Sequence, residues 1–161
     1  TFGASAIQIG NVTFFMALGM ALGSFIYGPL EKLTGSARNL ILAGNLTQLA
    51  VLLWLAFSPP ATVLGTGVLF AAIGFFGMTY GLQMAHGRSF LPPDLLGRGV
   101  TLMNFFNIAG VGLMQIAGGP ILETAKSVSP NGAFQGLFLV YAITVATSCI
   151  AFLFAKGKPA A

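Results

Sequence analysis

Five stretches of this 161-residue chain run for close to twenty residues or more without an Asp, Glu, Lys or Arg: Ala4–Leu30, Leu40–Phe57, Ala61–Gln83, Gly99–Leu122 and Ala133–Phe154. A helix needs about 20 apolar residues to cross the hydrocarbon core of a bilayer. Membrane strands would be shorter and would alternate apolar with polar, whereas these runs are apolar on every face. The pattern predicts an all-α membrane protein, with five transmembrane helices in a single domain over residues 1–161. Charge supports the same reading. Only 6% of the residues are Asp, Glu, Lys or Arg, against about 25% in an ordinary soluble domain. That is too little to clothe a surface in water, so a conventional soluble enzyme is excluded. Disorder is excluded too, since it needs low hydrophobicity and 56% of this chain is hydrophobic. The 22 glycines suit membrane helices, whose backbones approach closely where side chains are small.

The cations predict an orientation. If the five stretches span, then all but one of the seven Lys and Arg fall on one side: Lys32, Arg38, Arg88, Arg98, Lys156 and Lys158, with Lys126 opposite. The positive-inside rule puts that richer side in the cytoplasm. The N-terminal end is then outside and the tail cytoplasmic. No basic segment precedes the first apolar run, as a secretory signal would require. The expectation is a chain trimmed from a longer one, with at least one span upstream. The cations are scattered, not gathered into the basic stripe of a nucleic-acid footprint, so no nucleic-acid partner is expected. Cys149 is the only cysteine, which leaves no intrachain disulfide.

Polar side chains inside a membrane are costly and face partners or a watery path. In the fourth stretch Asn104, Asn107 and Gln115 fall within roughly an 80° sector at about 100° per residue. Their amides both donate and accept, which suits an uncharged or zwitterionic solute, or equally hydrogen bonds between helices. Thr79, Gln83 and His86 share a face of the third stretch. His86, near its end, is a candidate proton relay or else a solvated loop residue. Gln8 and Asn11 stand one turn apart in the first. Gly19 with Gly23, and Gly77 with Gly81, have the four-residue spacing of close helix crossings. Trp54 is placed for an interfacial belt.

Catalysis is not expected. The three carboxylates, Glu31, Asp94 and Glu123, lie in loops or at span ends. One His and one Cys cannot make a four-ligand zinc site, and there is no phosphate-binding Gly-x-x-x-x-Gly-Lys-Ser/Thr loop. Neither a cofactor nor a metal is called for.

The segment Gly28-Pro29-Leu30-Glu31-Lys32-Leu33-Thr34-Gly35-Ser36-Ala37-Arg38 resembles the cytoplasmic loop signature of the major facilitator superfamily. Gly28, Leu30 and Gly35 match in register and Arg38 stands for the trailing cation, while Glu31 and Lys32 sit one position early. Pro93-Asp94-Leu95-Leu96-Gly97-Arg98-Gly99, leading into Asn104 and Asn107, resembles the cytoplasmic opening of the eleventh helix of bacterial members. The resemblance covers essentially the whole chain as helices eight to twelve of a twelve-helix bundle. It implies a partial facilitator-type fold, a bacterial inner membrane, and a role in secondary active transport of a small solute by alternating access. The missing N-terminal helices would be the partners, and Thr79 and Gln83 would line the central cavity. The alternative is a non-transporting membrane subunit or assembly factor that binds a partner protein or pigment through its glycine faces. Substrate, coupling ion and direction of flux are not written in these residues.

Overall fold

The computed structural model describes residues 5–128 and 132–154. The predicted start at Ala4 and the tail cations Lys156 and Lys158 lie outside them. The order is α1 (Ala6–Thr34), α2 (Ala37–Phe57), α3 (Val63–Gly77), α4 (Tyr80–Arg88), α5 (Leu96–Val128) and α6 (Ala133–Leu153), with a 3-10 turn at Pro93–Leu95 before α5. Taking α3 and α4 as one span, five helices among the described residues are long and apolar enough to cross a membrane. The protein is an all-α, multi-pass membrane protein.

Local chemistry explains where the helices begin and end. Ser5 caps α1 and exchanges hydrogen bonds with Gln8 in a capping box. The first helix continues beyond the apolar run, through Pro29 and one further turn, until Gly35 takes a left-handed conformation (φ 66°). The Gly35 N–H donates to the Glu31 carbonyl at 2.9 Å, a common helix stop that glycine adopts without steric cost. Ser36 then caps α2 by accepting the Asn39 N–H. The turn joining α1 to α2 is therefore only Gly35 and Ser36. Ser58-Pro59-Pro60 stops α2 at the expected place, and Thr62 caps α3. The helices of the first and fourth spans overrun their apolar stretches at one or both ends. Polar residues such as Glu31, Lys32, Glu123 and Lys126 remain helical because intrahelical bonding does not require an apolar side chain.

The third span departs most from a simple rod. It reaches Arg88, five residues past the expected Gln83, but is interrupted at Met78 and Thr79. Here the backbone bonds tighten to three-residue spacing: Met78 N–H to the Phe75 carbonyl at 3.2 Å and Thr79 N–H to Phe76 at 3.4 Å. Regular bonding resumes with Gln83 N–H to the Thr79 carbonyl at 2.9 Å. Such a tightened turn inside a helix often marks a hinge.

Side by side, α3 lies along α1 and also touches α2; α2 lies along α6, and α6 along α5. The α1–α3 crossing is made by glycine. A Cβ on Gly19 would run into the Ala71 carbonyl, one on Gly74 into the Met16 carbonyl, and one on Gly23 would come to 2.6 Å from the Phe75 carbonyl. Gly19 and Gly23 thus form a close-packing face, as their spacing suggests. Gly77 and Gly81 do not: Gly77 faces the Gln48 amide and Gly81 meets nothing nearby. The counterparts on α3 are Gly67 and Gly74, both buried. A small core of Tyr27, Ile41 and Leu82, packed by Phe75, Met78 and Phe152, fills the end of the bundle near Arg38. Trp54 is exposed.

Overpacking a close contact generally costs about 1–3 kcal/mol, and here the obstacle is rigid backbone. Gly19→Ile is expected to lower stability in detergent by at least that amount, read by reversible unfolding. Gly10→Ala, with open space around it, should cost nothing measurable.

Candidate functional site

Thr79, at the interruption between α3 and α4, is 1% exposed, and Asn45 of α2 is 6% exposed. The Thr79 hydroxyl donates to the Asn45 side-chain oxygen at 3.0 Å, and the Gln83 amide donates to the same oxygen at 3.4 Å. Buried amides and hydroxyls need such partners, since leaving one unpaired costs roughly 1–3 kcal/mol. Gly44 makes room for the cluster. A side chain there would strike the Thr79 methyl and approach the Tyr27 hydroxyl to 3.0 Å. Gln48, on the same side of α2 as Asn45, sets its amide beside Gly77. The nine residues of α4 rise about 13 Å at 1.5 Å per residue. Thr79 therefore stands about 13 Å along the span from Arg88.

Of the residues singled out by sequence, Thr79 and Gln83 are brought together. Asn104 of α5 joins them at one remove, its side-chain oxygen accepting from the Tyr80 hydroxyl at 3.1 Å. Tyr80 immediately follows Thr79, so this pair ties the broken span to α5. Asn107 and Gln115 share α5 with Asn104 but are exposed on this chain, as are Gln8 and Asn11 on α1. The Gln8 amide oxygen is occupied in the capping box of α1, accepting the Ser5 N–H at 2.9 Å. These four do not join the cluster. Asn45, Gln48 and Tyr80 were not anticipated as site residues. Asn45 and Gln48, three residues apart on one face of α2, were the available signal.

At the cationic end, the loop-signature residues Glu31, Lys32, Gly35 and Arg38 line a cavity of about 620 Å³, together with His86 and Ser89 of the third span. Gly28 stands apart, with nothing near it. An Arg38 Nη donates to the Leu153 carbonyl at 2.9 Å, which fastens the start of α2 to the end of α6. His86 is a buried residue and not a solvated one. Its ring lies edge-on to Phe90 and Phe152, with centroids 5.1 and 5.7 Å away. A second cavity of about 580 Å³, at the opposite end, is walled mostly by Phe57, Pro59, Pro60, Phe70, Phe134 and Phe138 and by no charged group. Among the described residues, no three His, Cys, Asp or Glu side chains stand close enough to hold a metal ion.

The fold and site define a class, a multi-pass helical membrane protein with a buried amide–hydroxyl cluster at a broken span. No family model matches the chain, and neither a similar curated protein nor a similar solved structure was found.

If one Asn45 oxygen serves both donors, its loss should exceed that of either donor alone. Asn45→Ala is expected to destabilise the protein by about 1–2 kcal/mol and Thr79→Val by less. The double variant should be no worse than Asn45→Ala. Additive losses in this double-mutant cycle would show that the two side chains act independently.

Proposed function

We propose that the chain is part of a secondary active transporter of the facilitator type, moving a small uncharged or zwitterionic solute by alternating access. One observation carries the reading: the third span breaks beside a buried, hydrogen-bonded cluster of Asn45, Thr79 and Gln83. Interrupted helices near the bilayer midplane are where such transporters bind their solutes and where their bundles flex. The amide and hydroxyl groups offer both donors and acceptors and no fixed charge. The glycine-lined α1–α3 contact supplies a smooth face of the kind a rocking bundle uses.

The same reading places the chain in a bacterial inner membrane, with the end that carries Lys32, Arg38, Arg88 and Arg98 in the cytoplasm. It also gives the exposed amides of α5 a purpose. Asn107 and Gln115 would face the pathway or further helices of the same transporter once the bundle is complete. His86, being buried near the cytoplasmic end, stands where a proton relay would stand.

A second reading, a non-transporting subunit that holds a partner protein, is favoured by α5, whose apolar stretch buries no residue within this chain. Flux separates the two. Reconstituted alone in liposomes, the chain is expected to show background solute leak, because five spans do not enclose a pathway. Purified together with the helices that accompany it in the native membrane, it should give saturable uptake, which Gln83→Ala or Asn45→Ala reduces tenfold or more. Saturable uptake by the isolated chain, or an assembly that takes up nothing from a broad solute panel, would overturn the proposal.

A further inference from the structure

We draw no further inference here: the strongest candidate, the aromatic-walled cavity of about 580 Å³ between the end of α2 and the starts of α3 and α6, is apolar, and nothing in the structure shows what covers it.

Discussion

Hydrocarbon offers a peptide group nothing to bond with, so each backbone N–H and carbonyl in a span must find its partner inside the protein. That constraint shapes every element here. It makes the spans helical and forbids an irregular stretch that faces lipid. It also explains how the third span can be interrupted at all. At Met78, Thr79 and Gly81 the bonds reach back three residues instead of four. The turn is enclosed by α2, with Gly44 drawn up against the Thr79 side chain. A break in α5, which is open along its apolar face, would have no such shelter.

Helices immersed in lipid gain little from hiding apolar surface, since the tails outside are as apolar as the neighbour. Close fit and shared hydrogen bonds must hold them instead. The chain uses both devices, and in different places. Glycine brings the α1 and α3 backbones into touch at Gly19, Gly23 and Gly74. Amide and hydroxyl groups link α2 to the broken span and the broken span to α5. At the cationic end an arginine takes a helix-end carbonyl of α6, one of the groups that a helix terminus leaves without an intrahelical partner.

The number of spans was legible in the sequence because lipid imposes a length and an absence of charge that composition alone displays. Helix ends were less so: α1 runs past its apolar stretch, which ends at Leu30, to Thr34 before Gly35 stops it. The pairing of Thr79 with Gln83 followed from their four-residue spacing. Asn45 escaped although Gln48 shares its face of α2, because what distinguishes it is contact with another helix. The glycine faces show the same limit. Gly77 and Gly81 have the spacing of Gly19 and Gly23, but which side of α3 meets α1 is decided by packing, and that side carries Gly67 and Gly74. His86 looked solvated because it sits near a loop. Only the folded chain brings Phe152, from the far end of the sequence, over its ring.

The two-residue turn at Gly35 and Ser36 has a consequence for biosynthesis. With almost nothing between them to translocate, α1 and α2 are suited to enter the bilayer as one hairpin. Their arms lie mostly apart, however, because each also packs against α3. In the folded chain the gap between the two arms is filled by α3.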